Sequence, residues 1–334
     1  MIIDFHAHVG DFRWSKHDTH EPLTWESLLR RLDDEGIDKA VFLPVCNASP
    51  ELTPWGFLHS ERQFVRDQVV DARRYADRVI PFGNMDPRWG RNSPDTDFSE
   101  ILDWFQEWGC RGMGEVCANI PYDDPRTINM FRQLGERRLP VTIESCNSGW
   151  GLGFQDDPGS PRLERLLQAA PETVIIGHGP AFWAEIAPVT SAEEKVGYRK
   201  GRISQEGSLP RLLRRYPNLY ADLSAASGFN ALSRDLDYGV RFLDEFQDRL
   251  MFGTDTVARD FSRTEIERQC IDALLQELLV RGCLSQETWD RMHWGMGLMP
   301  QLDYLKLLRR EGKLSAAAYE KITWGNAARL LGEI

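Results

Sequence analysis

Residues 1–10, MIIDFHAHVG, read as one short apolar strand that ends on two histidines. Successive side chains of an extended strand alternate faces, so His6 and His8 are expected on one side and Phe5 and Ala7 on the other. Two imidazoles on one face can grip a metal ion, yet an isolated His-x-His pair is more often a packed or surface feature. The rest of the chain has to decide between these readings.

The same shape, an apolar run with a polar residue at its end, recurs along the sequence. Further strands are predicted at 39–45 (KAVFLPV), 79–86 (VIPFGNMD), 110–117 (CRGMGEVC), 140–145 (PVTIES), 173–179 (TVIIGHG), 219–225 (LYADLSA) and 250–256 (LMFGTDT). Between them lie stretches with Leu or Phe at three- and four-residue spacings, such as 24–36, 127–138, 161–170 and 208–218. Thr24 and the Asp pair before Pro125 stand where a side-chain oxygen caps free helix amides. Eight strands alternating with helices predict an α/β fold of the TIM (β/α)8 barrel type. Residues 262–282 read as a final barrel helix and about 285–334 as a helical C-terminal extension, so the chain is expected to be one barrel domain over 1–334. No internal repeat beyond the strand–helix alternation is expected. The longest aperiodic connection is 181–207, and 47–57 and 87–97 are the other long irregular loops.

Bulk properties narrow the function classes. The chain has 334 residues, with 40 Lys and Arg against 51 Asp and Glu, a formal charge of −11. That balance disfavours phosphate backbones and anionic membranes, so no nucleic-acid or membrane partner is expected. Six cysteines without a C-x-x-C pair suit a reducing, cytoplasmic setting. No apolar run approaches membrane-spanning length and no secretory leader pattern precedes the first strand.

In a TIM barrel, catalytic groups sit at the C-terminal strand ends. Those ends here carry His6 and His8, Glu115, Glu144, His178 and Asp255. Each has a plain structural reading: a salt-bridged carboxylate, a core histidine, a helix cap. Ionisable groups at so many apolar strand ends together predict a polar pocket at one barrel mouth. Two imidazoles and carboxylates suit a divalent ion, Zn²⁺ first, with Mn²⁺ or Fe²⁺ as alternatives. Such an ion acidifies water toward neutrality, which is hydrolytic chemistry.

The segments DFHAHVG (4–10), GNMDPRWG (83–90), CRGMGEV (110–116), YDDPRTINMFRQLGERRLPVTIES (122–145), VIIGHGPAF (174–182), RRYPNLYADLSA (214–225), LMFGTDT (250–256) and WGNAARLLG (324–332) resemble, in order, the signature segments of the amidohydrolase superfamily. The resemblance is to its amidohydrolase-related (amidohydrolase 2) branch of metal-dependent hydrolases and decarboxylases, and runs nearly the whole length. It implies a distorted TIM barrel with a metal held by His6, His8 and Asp255. It also implies that His178 is a second-metal ligand or a catalytic imidazole, and that Glu115 stands where relatives place a bridging group. One departure is plain: the strand-5 position that usually carries a metal-binding histidine is Glu144, which reads first as an oxygen ligand in its place, with an unusual mononuclear site or a weakened metal site as the other readings. Cys146 is expected on the same inward face and reads as a small buried residue.

Substrate-binding candidates are Arg88 and Trp89 after strand 3, Ser224 and Ser227 after strand 7, and Tyr198, Arg199, Lys200 and Arg202 in the strand-6 loop. That basic cluster can pair with a substrate carboxylate, or simply be a solvated loop face. Trp14, Trp55, Trp150 and Trp183 lie in loops expected at the same mouth. The reading that follows is a metal-dependent hydrolase of a small amide, lactone or carboxylated substrate, with Asp255 moving the proton and His178 steadying developing charge. A non-oxidative decarboxylase of the aminocarboxymuconate-semialdehyde or resorcylate type is the alternative, and a catalytically silent barrel with a binding role is the third. A homodimer is an expectation from the resemblance alone.

Overall fold

In the computed structural model, which describes residues 1–10, 23–44, 64–146, 152–256, 264–296 and 299–334, the eight apolar runs become eight parallel strands. They are β1 (Ile3–Ala7), β2 (Lys39–Phe42), β3 (Val79–Pro81), β4 (Met113–Val116), β5 (Val141–Glu144), β6 (Ile175–His178), β7 (Leu219–Asp222) and β8 (Leu250–Met251). One sheet runs β1-β2-β3 and the other β4 to β8 in sequence order. Isolated parallel bridges at Gly83–Met113 and Ala7–Thr256 link the two sheets at both seams. The expected α/β barrel order is therefore present, with short strands: the ladder of β3 stops at Pro81 and that of β8 after Met251. Trp14, Trp55, Trp150 and the loop at 47–57 lie outside the described residues.

Two sets of side chains divide inside from outside. Ile3 and Phe5, Val41 and Leu43, Ile80 and Phe82, Ile176 and Met251 form one apolar cluster drawn from strands across the ring. Outward residues of the strands, among them Ala40, Val141, Ile143, Ile175 and Ala221, pack with the helices in a larger cluster. Phe5 corrects the strict alternation expected for β1, because it points inward as His6 does. The β1–β2 register shifts between Asp4 and Ala7, and that irregularity turns Phe5 into the core and His6 and His8 into the mouth above it. Asp4 faces outward, where Arg31 Nη2 donates to it at 3.1 Å.

The covering helices follow the sequence pattern. Helix α1 (Trp25–Glu35) is capped by Thr24, whose Oγ1 accepts from the Ser27 amide at 3.2 Å. Helix α2 spans Val65–Ala72 and α3 Ser99–Glu107. Asp124 caps α4 (Pro125–Glu136), and α5 (Pro161–Ala169) and α6 (Ser208–Arg215) follow. After β7 come α7 (Ala225–Ser233) and α8 (Leu236–Glu245), and after β8 the long α9 (Glu265–Arg281). The connection 181–207 is built from short helical turns tied down by a buried pair, Lys195 Nζ to Glu185 Oε1 at 2.6 Å.

The C-terminal segment carries α10 (Gln301–Arg310) and α11 (Asn326–Leu331); Ala327, Ala328 and Leu331 close on the inner cluster. This segment also corrects the expectation of no internal repeat. LSQETWDRMHWG (284–295) and LSAAAYEKITWG (314–325) align residue for residue, each with a serine cap, one α-turn and then a π-helical turn. Among the described residues no helix is long and apolar enough to cross a membrane.

Candidate metal centre

At the C-terminal mouth, β1 places the Nε2 atoms of His6 and His8 2.9 Å apart. From beyond β8, Asp255 brings Oδ1 to 3.2 Å from His8 Nε2 and 3.5 Å from His6 Nε2. Glu115 of β4 sets Oε2 3.6 and 3.7 Å from the same two nitrogens. On the other side of Glu115, His178 Nε2 lies 3.6 Å from Glu115 Oε1, 3.5 Å from Glu144 Oε2 and 3.5 Å from Asp255 Oδ2. All six polar strand-end residues named from the sequence thus converge on one spot. Asp255 is held with φ at 56°, a left-handed conformation that Asp tolerates better than most residues, its amide donating to the His6 carbonyl at 2.8 Å.

The far sides of the imidazoles are equally determined. His6 Nδ1 sits 2.5 Å from Asp222 Oδ2, and His8 Nδ1 donates to the Leu43 carbonyl at 2.8 Å. His178 Nδ1 lies 2.9 Å from Ser224 Oγ, whose hydroxyl also donates to Asp222 Oδ2 at 2.7 Å. Asp222, at the end of β7 and fully buried, therefore orients two histidines at once and leaves their Nε2 atoms facing the mouth. Glycines make room: a Cβ at Gly253 would meet Asp222 Oδ1 at 2.6 Å, and one at Gly179 would meet Glu144 Oε2 at 2.5 Å.

Charge follows from this crowding. Burial opposes a charged His6, but Asp255 and Asp222 outweigh it and push the imidazole up to about 10. His178 is likewise raised well above the ordinary histidine value against its burial, by Asp222, Asp255 and Glu115. Asp222 and Asp255 resist their own burial and fall below the usual carboxylate range, because His6 and His178 face them. Glu115 is lowered by the same histidines against its burial, whereas burial and the adjacent Glu115 hold Glu144 well above its ordinary value.

The donor set fits a divalent ion. Ligand atoms about 2.0–2.2 Å from one tetrahedral ion stand roughly 3.3–3.6 Å apart, and the nitrogen–carboxylate separations here fall close to that spacing. With both Nδ1 positions anchored, the two Nε2 atoms share one proton at 2.9 Å, and a divalent ion would take that proton's place. Three overlapping groups have the required proximity: His6, His8 and Glu115; His6, His178 and Asp255; Glu115, Glu144 and His178.

A family model described as amidohydrolase matches residues 3–332. The chain belongs to the amidohydrolase family. Its members are metal-dependent, and the cluster just described is where this amidohydrolase could bind an ion. No curated protein matches it. Solved structures with similar folds include a probable 2-pyrone-4,6-dicarboxylic acid hydrolase from Acinetobacter baumannii with citric acid bound, at 15% identity and a TM-score of 0.52, covering 99% of each chain. A 2,6-dihydroxybenzoate decarboxylase from Rhizobium aligns at 14% identity and TM-score 0.50 over 99% of this chain and 98% of its own. A 4-oxalomesaconate hydratase from Rhodopseudomonas palustris aligns at 13% and 0.52, over 99% and 96%. At these identities the likeness is one of fold.

The substrate candidates of this amidohydrolase separate in space. Arg88 is turned onto its neighbour Asp86, with Nε and Nη2 donating at 2.7 and 2.6 Å, and Trp89 packs on the outer core. Ser224 is fully buried behind the imidazoles, bonded to Asp222 and His178 and not at the mouth. Tyr198 lies close enough to the centre for Glu144 and Asp255 to help burial raise its hydroxyl to about 12. Arg199 lies beside it, bonded to the Pro188 carbonyl, and lines a separate cavity with Tyr198 and Ser227. Cys146 is buried, as expected of a packed thiol. Sequence reasoning missed Asp222, which stood in the quoted segment LYADLSA but carried no spacing signal.

Proposed function

We propose that this amidohydrolase is a metal-dependent hydrolase of a small carboxylate-bearing amide or lactone, with zinc as the first choice of ion and manganese or iron(II) next. The observation that carries the reading is the inward pair of Nε2 atoms at 2.9 Å, each imidazole anchored through Nδ1, with the Asp255 carboxylate against both. His6, His8, Asp255 and Glu115 would hold the ion, with Glu144 and His178 bordering it on the far side of Glu115. A bound divalent ion supplies Lewis acidity, making a water more acidic and a carbonyl more electrophilic.

The chain's own groups account for the proton movements. Asp255 is ionised across the working pH range and can take a proton from an attacking water and return it to a leaving nitrogen or oxygen. His178, steadied through Nδ1 by Ser224 and Asp222, presents Nε2 where negative charge develops on the carbonyl oxygen. The names of the fold neighbours, a dicarboxylic acid hydrolase among them, support a carboxylated substrate. A non-oxidative decarboxylase is the second reading, favoured by Glu144: a buried carboxyl held well above its ordinary value carries the proton that a departing carboxylate must be replaced by.

Metal content by plasma emission spectrometry, followed by product analysis on lactone, amide and aromatic carboxylate panels, tests both. A stoichiometric ion, activity lost in His6→Ala and Asp255→Ala, and a new carboxylate as product support the hydrolase. Released CO₂ moves the assignment to the decarboxylase. Full activity in either variant sinks the metal-centre reading.

A further inference from the structure

Beside the metal centre lies a narrow cleft whose enclosed space is about 10 Å³, widening to about 260 Å³ with the open space at its mouth. Its wall includes Tyr198, Arg199, Ser227, Asn230 and Arg234, with Trp183 at one side. Trp183 Nε1 donates to the Asp222 carbonyl at 3.0 Å, and Tyr198 feels the charges of Glu144, His178 and Asp255, so the cavity adjoins the histidine–carboxylate cluster. The enclosed part takes about one water-sized group, such as one oxygen of a carboxylate, and the rest of a ligand would lie in the open mouth.

Two polar atoms on this wall lack partners among the described residues. Ser227 is 4% exposed and Arg234 7%, and among the described residues neither the Ser227 hydroxyl nor Arg234 Nε has a hydrogen-bond partner. The adjacent carboxylate is engaged elsewhere: Asp235 accepts from the Ile203 amide at 2.8 Å and the Tyr238 amide at 3.2 Å. Among the described residues Arg234 forms no ion pair, and the Arg199 guanidinium bonds only the Pro188 carbonyl. Arg214, by contrast, pairs with both Glu206 and Glu245. Burial and the charge of Arg199 lower Arg234 to about 10, and Arg234 adds to the burial that brings Lys200 to about 8. A buried hydroxyl and a buried guanidinium Nε left unbonded are costly, and an anion satisfies both.

We infer that this cavity is a carboxylate subsite, in which Arg234, Arg199 and Ser227 hold an anionic end of the substrate while its reacting end lies at the histidine–carboxylate cluster. The identity of the reacting end rests on the proposed function; the subsite itself rests on the unpartnered groups. Arg234 and Ser227 contribute binding, and Tyr198 separates the two ends of the ligand.

The test is isothermal titration of the purified protein with malonate, succinate and glutarate, and with the corresponding diamides. At least one diacid is expected to bind and its diamide to bind far more weakly. Arg234→Gln and Ser227→Ala are each expected to weaken the diacid by about tenfold or more, with metal content unchanged. Arg199→Gln gives a second arginine reading should Arg234→Gln fail to fold. Equal affinities of wild type and the arginine variants, or no preference for acid over amide, overturn the subsite and leave the unpartnered groups to bound water. His6→Ala separates the two claims: diacid binding that persists there and still depends on Arg234 upholds the subsite even where the proposed reaction fails.

Discussion

Asp222 Oδ2 lies 2.5 Å from His6 Nδ1 and 3.3 Å from His178 Nδ1, so one fully buried carboxylate aligns imidazoles carried by two different strands. Its Oδ1 accepts the Ser224 amide at 2.9 Å, and Gly253 leaves the space it occupies. Carboxylates behind metal-binding histidines fix the tautomer and raise ligand basicity. Asp222→Asn keeps the shape and removes the charge, and is expected to weaken metal affinity by roughly 10- to 100-fold. Competition with a fluorescent chelator reads this directly, and an affinity equal to wild type would refute the orienting role.

The same pair sets a pH dependence. With no ion bound, His6 is raised to about 10, so its contribution to stability is full below the unfolded value of 6.5 and lost as pH rises toward 10. Asp222 is lowered, so its contribution is present above 3.8 and lost as pH falls below it. A divalent ion replaces the proton on Nε2, which makes binding proton-releasing. The rise in melting temperature on adding zinc to chelator-treated protein is therefore expected to grow between about pH 6 and 9. A shift independent of pH in that window contradicts the arrangement of charges.

Glu144 gives a third expectation. Its carboxylate rests against Gly179, whose φ of 93° and missing Cβ are both needed, since a methyl there would meet both Glu144 oxygens within 2.7 Å. Gly179→Ala should displace Glu144 and lower metal content, and Glu144→Gln is expected to lower it by chemistry alone. Glu144→His should restore binding, because an imidazole can take over as ligand. Unchanged metal content in both Glu144→Gln and Gly179→Ala would remove Glu144 from the centre.

What was legible in the sequence, and what was not, divides along local and non-local physics. The strands and the six converging polar residues were readable because each is an apolar run with one exception at its end, a pattern contained within ten residues. The inward turn of Phe5 was not, because it depends on a register shift against β2. Asp222 was hidden for a similar reason: its meaning lies in His6 and His178, far away in sequence. Arg234 could not stand out, since being unpaired is a property of surroundings. The repeat of 284–295 in 314–325 was present in the letters but masked by substitutions such as Trp289 for Tyr319.

The connection after β6 carries the last expectation. Lys195 and Glu185 are each 1% exposed and joined at 2.6 Å. Glu185 also accepts from the Ser208 hydroxyl at 2.7 Å and the Gly159 amide at 2.8 Å, so one carboxylate ties the loop to the start of α6 and to the approach to α5. Removing one partner of such a pair leaves a buried charge uncompensated, which costs about 3–5 kcal/mol, whereas replacing both with apolar groups is often neutral. Lys195→Met should thus lose most of that amount in urea unfolding, and Lys195→Met with Glu185→Leu should recover part of it, with the Ser208 and Gly159 donors still unsatisfied. Because this loop also carries Tyr198 and Arg199, the single variant should weaken diacid binding at the cavity while leaving metal content intact. A Lys195→Met protein as stable as wild type would mean that the loop is held by its apolar contacts alone.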